Sequence, residues 1–211
     1  MRPTAVVTGS SGGIGRAVAA ELRERGWEVV SLSRREGCDV SDEAQVQRAF
    51  QGIERLDALI NCAAQLIKRP ILDLTAADWD AQLDTGLRGA FLCSREAFRL
   101  MRDDGGSIVM VSSLSGVAGA EKFPGMAAYV AAKSGLAGLA EALAVEGRPH
   151  GIRVNTISPG AVDTPMLRIA GVEGPRLQPA EVARIIVWLA SLESAPLSGS
   201  NLRLDPADRV T

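Results

Sequence analysis

The glycine-rich segment of this chain reads Thr8-Gly9-Ser10-Ser11-Gly12-Gly13-Ile14-Gly15. It follows a short apolar run at Ala5–Thr8 and opens a helical pattern over Gly13–Arg25. Glycines between a strand and a helix allow a tight turn, and the helix N-terminus offers N–H donors to a pyrophosphate. The segment therefore predicts a dinucleotide-binding turn. The predicted cofactor-binding residues in it are Gly9, Ser11, Gly12, Gly13, Ile14 and Gly15.

Two other motifs share part of this pattern. A Walker-type phosphate loop is excluded because no lysine follows the last glycine. Gly9-x-Ser11-x-Gly13 also matches the nucleophile elbow of α/β-hydrolases, which needs a catalytic histidine downstream. The only histidine, His150, lies in a turn-like segment, Pro149-His150-Gly151, so the hydrolase interpretation is disfavoured.

The rest of the chain alternates short apolar runs with longer helical patterns. We predict strands at Ala5–Thr8, Glu28–Ser33, Ala58–Asn61, Ser107–Ser112, Arg153–Ser158 and Asn201–Leu204. We predict helices at Gly13–Arg25, Asp42–Ile53, Ala76–Arg102, Ala127–Glu146 and Ala180–Leu192. Most of the strands are continuous Val/Ile/Leu runs, which indicates that both faces of the sheet are covered. The pattern predicts an α/β fold with a doubly wound parallel sheet, and its ligands would bind beyond the carboxyl ends of the strands.

The connection after the second predicted strand is unusually short. Only Arg35-Glu36-Gly37-Cys38 separates Arg34 from Asp39-Val40. A parallel neighbouring strand needs a crossover of about a dozen residues or more. We therefore expect the second crossover helix to be missing and the third strand of a Rossmann-type sheet to be reduced or absent.

The composition excludes several classes of protein. Of the 211 residues, 46% are hydrophobic and 23% are charged, and the net charge is -2. This balance gives no polybasic surface for nucleic acid or anionic membrane, and we find no uncharged apolar stretch long enough to span a bilayer. Three scattered cysteines indicate reduced thiols. The early apolar run leaves no room for a signal peptide, so we predict a cytoplasmic protein with one domain over residues 1–211 and no metal site.

A tyrosine and a lysine share one face of a predicted helix. In Tyr129-Val130-Ala131-Ala132-Lys133 the i, i+4 spacing puts the phenol and the ammonium group side by side. A nearby cation favours the phenolate, so this pair can exchange a proton near neutral pH. In isolation the pair would more simply be a tyrosine packed against a lysine stem.

The pair is not isolated, and the order of motifs resembles the short-chain dehydrogenase/reductase family over nearly the whole chain. The glycine-rich segment, Ser112-Ser113 after a strand and the Tyr129–Lys133 motif occur in the family's order. Asp39-Val40 resembles its adenine-contacting pair, and Asn61-Cys62-Ala63-Ala64 resembles its Asn-Asn-Ala-Gly with two positions changed. Arg153-Val154-Asn155 and Ser158-Pro159-Gly160-Ala161-Val162-Asp163-Thr164 are similar to its segment beside the nicotinamide.

The resemblance implies hydride transfer between NAD(P)H and a small carbonyl or alcohol substrate. It implies that Tyr129 protonates the developing alkoxide, that Lys133 lowers its pKa and holds the ribose, and that Ser113 polarises the substrate oxygen. The further cofactor-binding residues that it implies are Arg34, Asp39, Val40, Asn61, Ala63, Tyr129, Lys133, Pro159, Gly160, Val162 and Thr164.

Two features of the site depart from the family. The interval from Ser113 to Tyr129 is a little long, which leaves Ser115 as a competitor for the serine role. Gly86 stands where the family usually has an asparagine that holds a proton-relay water next to Lys133. Glycine has no side-chain donor, so we expect a weakened or altered relay.

Cofactor choice depends on the end of the second strand. The segment Ser31-Leu32-Ser33-Arg34-Arg35 carries no acid there, and a cation at this place favours a 2′-phosphate. Arg34 can bind a phosphate with two donors, although Glu36 can partly neutralise the two arginines. We predict NADP(H) in preference to NAD(H).

Several alternatives stay open. A dihydropteridine-reductase-like enzyme would also lack the second crossover helix, and a catalytically idle dinucleotide-binding regulatory protein would tolerate Gly86. The apolar faces of the helices around Phe91 and Tyr129 predict a homodimer or homotetramer, as is common in the family. The segment from Pro165 to Gln178 is expected to be a small, open or mobile cover over the substrate.

Overall fold

The computed structural model describes residues 2–206, and Met1 and 207–211 of the predicted domain lie outside the described part. Within that part, a six-stranded parallel sheet has the order β2-β1-β3-β4-β5-β6. The strands are β1 (Thr4–Thr8), β2 (Glu28–Leu32), β3 (Ala58–Asn61), β4 (Gly106–Val111), β5 (Ile152–Pro159) and β6 (Asn201–Leu204).

Helices connect the strands. They are α1 (Gly13–Glu24), α2 (Glu43–Phe50), α3 (Ala76–Leu83), α4 (Gly89–Met101), α5 (Ala127–Gly147), α6 (Pro165–Ala170) and α7 (Pro179–Ala190). A π-helical segment, Asp84–Arg88, joins α3 to α4. Short 3₁₀ turns lie at Arg34–Glu36, Leu114–Gly116, Arg148–His150 and Leu192–Ser194.

The sheet is covered on both faces, which confirms the predicted doubly wound class. Val6 of β1 packs into one buried cluster with side chains of α2, α4 and α5. Its neighbours Ala5 and Val7 point to the other face, where they pack with side chains of α1 and α7. Because successive side chains of a strand alternate between faces, a strand covered on both sides must be apolar throughout.

The helices differ from the prediction in two places. The single helix predicted at Ala76–Arg102 is interrupted by the π-helical segment, where the chain makes a wider turn around the buried Gly86. Helix α6 lies in the segment that we interpreted only as a cover. Thr164-Pro165 is a typical helix start, since proline fits the first helical turn, and this signal was available in the sequence.

Strand β2 forms one edge of the sheet. In the described residues it pairs with β1 alone. The turn Arg34–Glu36 and helix α2 connect it to β3, and Asp42 caps α2 by accepting a hydrogen bond from the Gln45 N–H at 3.0 Å. Arg34 therefore stands directly at the end of an edge strand.

Helix α5, continued to His150, is long and apolar enough to cross a membrane by length and composition. In this fold it packs against β5 and carries the buried Lys133. The side of the helix that carries Ala132, Leu136 and Ala140 is buried in the fold, and 33% of the apolar span is buried in all.

The glycine-rich segment contains a matched pair of glycines for a stability test. A Cβ at Gly15 would overlap the Gly9 carbonyl group, whose carbon lies 2.8 Å away, whereas a Cβ at Gly12 meets nothing within 4 Å. We expect Gly15→Ala to lower the free energy of unfolding by about 1–3 kcal/mol because the helix must shift. Gly12→Ala should change it by about 0.5 kcal/mol or less. Urea titrations followed by circular dichroism measure both values, and equal effects would contradict the close packing of α1 on the loop.

Candidate active site

Two adjoining cavities lie at the carboxyl ends of the strands. The larger cavity, of 480 Å³, runs along the glycine-rich segment and the end of β2. The smaller cavity, of 320 Å³, lies between the segment after β4 and helix α6. The residues that line both are Ile14, Ser112, Tyr129, Thr164 and Met166. The two cavities therefore meet at Tyr129.

Most of the predicted site residues line one of these cavities. Those in the larger cavity are Gly9, Ser11, Gly12, Gly13, Ile14, Arg34, Asp39, Val40, Ala63, Tyr129, Lys133 and Thr164. Those in the smaller cavity are Ile14, Ser113, Tyr129, Pro159, Gly160, Val162 and Thr164.

Two predicted cofactor-binding residues line neither cavity. Gly15 is buried in α1 against the Gly9 carbonyl, so it serves the packing of the helix on the loop. Asn61 is buried at the end of β3, and its side-chain amide donates to Ser94 Oγ of α4 at 3.0 Å.

The glycine-rich segment presents the N-terminus of α1 to the larger cavity. Gly9 has φ +68°, and a Cβ there would lie 2.9 Å from the Ala63 backbone, so only glycine fits. The N-cap, Gly12, makes no side-chain hydrogen bond, and the first turn holds no acidic residue. The N–H groups of this turn are consequently available to a phosphate.

Thr8 joins the loop to the neighbouring strand. Its hydroxyl oxygen accepts hydrogen bonds from the Cys62 and Ala63 N–H groups, both at 3.0 Å. These bonds fix the segment after β3 beside Gly9. We did not identify Thr8 from the sequence, although it stands at the end of β1, where such a contact is expected.

Tyr129 and Lys133 lie one turn apart on α5, both buried, with the Lys133 Nζ 5.6 Å from the centre of the tyrosine ring. Burial raises the pKa of Tyr129 to about 12, although hydrogen bonding with Ser113 acts in the opposite direction. Burial lowers the pKa of Lys133 to about 8. The low-dielectric surroundings favour the neutral form of each group, so the shift of the Tyr129 pKa is opposite to the lowering by Lys133 that the sequence predicted.

Ser113 is placed beside Tyr129 by contacts between its own segment and α5. Ser112 Oγ donates to the Lys133 carbonyl at 2.7 Å, and Ser134 Oγ donates to the Gly116 carbonyl at 2.9 Å. A Cβ at Gly116 would come within 2.6 Å of the Lys133 carbonyl carbon, so this turn lies directly on the helix backbone. Ser112 is a positioning residue that the sequence did not single out.

Ser115, the competitor for the serine role, also lines the smaller cavity. Its N–H donates to Ser113 Oγ at 3.2 Å, while the hydrogen bonding that affects the pKa of Tyr129 comes from Ser113. The geometry therefore favours Ser113 as the partner of the phenol.

Gly86 lies in the π-helical segment and faces α5. A Cβ there would meet only the Ala132 methyl group within 4 Å, at 3.4 Å, so a methyl group fits at this position. Lys133 Nζ donates to the Val111 carbonyl at 2.7 Å. The altered proton relay stays a prediction.

The turn after β2 holds two cations and one anion. Arg34 and Arg35 are exposed, line the larger cavity and form no ion pair with a carboxylate in residues 2–206. The Glu36 carboxylate instead accepts from Ser10 Oγ and Ser33 Oγ, both at 2.6 Å. These bonds lower the pKa of Glu36, and they keep the charged carboxylate hydrogen-bonded to the two serines.

The cysteines are free thiols, with Cys38 and Cys93 buried and Cys62 at the larger cavity. Burial raises the pKa of Cys62 to about 11, which makes it a poor nucleophile. In the described part of the chain, no group of three or more His, Cys, Asp or Glu could hold a metal ion.

Comparison with known proteins agrees with this geometry. A family model described as enoyl-(acyl carrier protein) reductase matches residues 9–206. The chain is 32% identical to the short-chain reductase NovJ of Streptomyces niveus, over 95% of this chain and 92% of the relative. The chain belongs to the short-chain dehydrogenase/reductase family.

Other relatives within this family are named as oxidoreductases. Carbonyl reductase family member 4 of Danio rerio is 34% identical over 97% of each chain. Among solved structures, the aldohexose dehydrogenase of Thermoplasma acidophilum superposes with a TM-score of 0.89 at 27% identity, covering 97% of this chain and 92% of that one. The protein is therefore a short-chain oxidoreductase by family.

The buried Lys133 predicts a pH dependence of stability. Its pKa is about 8 in the fold and would return to about 10.4 on unfolding, so the unfolded chain binds more protons between these values. Stability contributed through this group rises with pH across that window, by up to about 3 kcal/mol. Urea titrations near pH 7 and pH 10 should show this rise in the native protein relative to Lys133→Met. Parallel changes in both proteins would contradict it.

Proposed function

We propose that the protein is an NADP(H)-dependent reductase of a small carbonyl compound, with Tyr129 as the proton donor. The observation that carries the proposal is that Tyr129 lines both cavities, with Ser113 in the smaller cavity and Lys133 in the larger one. A group that lines both spaces can act on a substrate in one while a cofactor occupies the other.

The larger cavity fits a dinucleotide. The uncapped N-terminus of α1 suits the pyrophosphate, Asp39 and Val40 would contact the adenine, and Lys133 would hold the ribose. Val162 and Thr164 would hold the carboxamide, and Pro159 and Gly160 line the adjoining space. When bound, the nicotinamide supplies or accepts the hydride.

Side chains of the protein supply the proton for the reaction. Burial keeps the Tyr129 phenol protonated at neutral pH, as a proton donor in carbonyl reduction must be. Ser113 would donate a hydrogen bond to the substrate oxygen and orient it toward the phenol. Lys133 in its charged form would stabilise the phenolate that remains after proton transfer.

The test compares three variants in assays of NADPH consumption with a panel of ketones, aldehydes, quinones and a quinonoid dihydropteridine. Tyr129→Phe should lower kcat by about 10²–10⁴-fold, since it removes the proton donor. Ser113→Ala should lower it substantially, whereas Ser115→Ala should retain most activity. NADPH binding, followed by fluorescence, should persist in all three.

Other outcomes separate the alternatives. Tight NADPH binding without turnover of any compound would favour the idle regulatory protein. Turnover confined to the quinonoid dihydropteridine would favour the dihydropteridine-reductase-like enzyme. A larger loss in Ser115→Ala than in Ser113→Ala would reverse the assignment of the serine.

The preference for NADP(H) rests on the free guanidinium groups at the end of β2. Arg34 and Arg35 line the larger cavity, and Glu36 is bound to two serines rather than to either arginine. A 2′-phosphate would therefore meet positive charge at this end of the cavity.

The cofactor preference can be measured with one substitution. Arg34→Ala should raise the KM for NADPH by about tenfold or more, because a charge-assisted contact is worth about 1.5–3 kcal/mol. The KM for NADH and the kcat should change little. Arg184→Ala, an exposed arginine of α7, is the matched control. An equal rise of the KM values for NADPH and NADH would contradict the assignment of Arg34 to the 2′-phosphate.

We also propose a cytoplasmic homodimer or homotetramer with no nucleic-acid or membrane partner. Phe91 of α4 is 43% exposed and Trp79 of α3 is 37% exposed, and contact with a second copy would cover both side chains.

A further inference from the structure

The inner wall of the smaller cavity is apolar. Leu66, Met126, Tyr129 and Ala170 form a buried cluster there, and partly buried apolar side chains pack around it. Those that also line the cavity are Phe123, Met166 and Val172. A substrate that fills this space exchanges water for apolar contacts, which favours apolar surface on the substrate.

Helix α6 holds this wall in place. Ala170, at the end of α6, is buried in the cluster, and its carbonyl accepts a hydrogen bond from Lys68 Nζ at 2.6 Å. The cover over the cavity is therefore docked on Tyr129 and its neighbours in this structure. Its inner side adds no polar side chain, because Met166, Leu167 and Ala170 are the α6 residues that line the cavity.

Few polar side chains line the interior of the cavity. Ser112 Oγ donates to the Lys133 carbonyl and Thr164 Oγ1 donates to the Val162 carbonyl, which leaves Ser113, Ser115 and Tyr129 as the other hydroxyl groups of the lining. These suffice for one carbonyl oxygen. The hydroxyl groups of a polyol would lose hydrogen bonds to water without gaining partners in the cavity, which weakens binding.

The charged lining residues all lie at the mouth. They are Glu121, Glu173, Arg203 and Asp205, and each is exposed. Three of these four carry negative charge, so the mouth of the described cavity opposes phosphate and carboxylate groups. A thioester substrate with an anionic carrier group would place that group close to these three carboxylates.

We infer that the natural substrate is a neutral, mainly apolar ketone or aldehyde with one reactive oxygen. The inference rests on the proposed reductase function and adds the class of compound. The volume of 320 Å³ lies near the lower end of the range for small-molecule sites, about 300–1,000 Å³, and a nicotinamide held at Val162 would occupy part of it. The substrate is thus expected to be compact.

The test measures kcat/KM with NADPH for four probes. Cyclohexanone and 2-decalone represent the proposed class, L-erythrulose is a polyhydroxylated ketone of similar size to cyclohexanone, and acetoacetyl-CoA is an anionic thioester. We expect both alicyclic ketones to exceed the other two by about 100-fold or more, since a site with unmatched polar groups discriminates at this level.

A matched pair of variants tests the cavity wall itself. Val172→Thr keeps the shape of the side chain and places a hydroxyl group in the smaller cavity. It should lower kcat/KM for 2-decalone by about tenfold, and the value for L-erythrulose should not fall. Ile71→Thr changes an exposed side chain outside the cavity and should alter neither value.

The outcomes separate the two levels of the proposal. A preference for L-erythrulose or acetoacetyl-CoA that depends on Tyr129 would overturn the substrate class and leave the reductase function standing. Equal effects of Val172→Thr on all probes would also overturn the class. If NADPH binds and no carbonyl compound of any class is reduced, the reductase function fails, and the substrate class fails with it.

Discussion

The contact between the segment after β4 and the backbone of α5 determines the geometry of the site. Gly116 lies directly on the Lys133 peptide group, and the hydrogen bond from Ser112 to the Lys133 carbonyl fixes the register of this contact. Any side chain at Gly116 would push the two elements apart. Ser113 would then move away from Tyr129, and the two cavities would no longer meet at the phenol.

Burial of the same helix face explains the electrostatics. Tyr129 and Lys133 are packed beneath the cavities, so each pays a desolvation penalty for its charged form. The phenol consequently remains protonated, and the pKa of Lys133 is lowered to about 8, so the amine is still mostly charged at neutral pH. The apolar wall formed with Leu66, Met126 and Ala170 thus supports the protonated state of Tyr129, and the proposed apolar substrate rests on the same wall.

The sequence predicted the class of fold, all six strand positions and the residues that meet at Tyr129, because these depend on apolar runs and on fixed local spacing. It did not predict the orientation of Asn61, because a strand-end side chain can point to the ligand or to a packed helix, and here it bonds Ser94. The sequence also did not predict the hydrogen-bond partners of Glu36. Ser10 and Ser33 follow different strands, and their proximity depends on the pairing of those strands in the sheet. The helix α6 was missed although Thr164-Pro165 marks its start.

The turn Arg34–Glu36 follows an edge strand, β2, and depends on hydrogen bonds of its own side chains for attachment to the rest of the fold. In the described residues, β1 is the only strand beside β2, so the sheet supports this turn on one side. The bonds from Ser10 and Ser33 to Glu36 attach the turn to the glycine-rich segment and keep the carboxylate engaged. A carboxylate with two short hydroxyl donors has less to gain from an exposed arginine, whose ion pair would be worth little in water. The serines therefore keep the Glu36 carboxylate from pairing with Arg34 or Arg35, the arrangement on which the proposed NADP(H) preference rests.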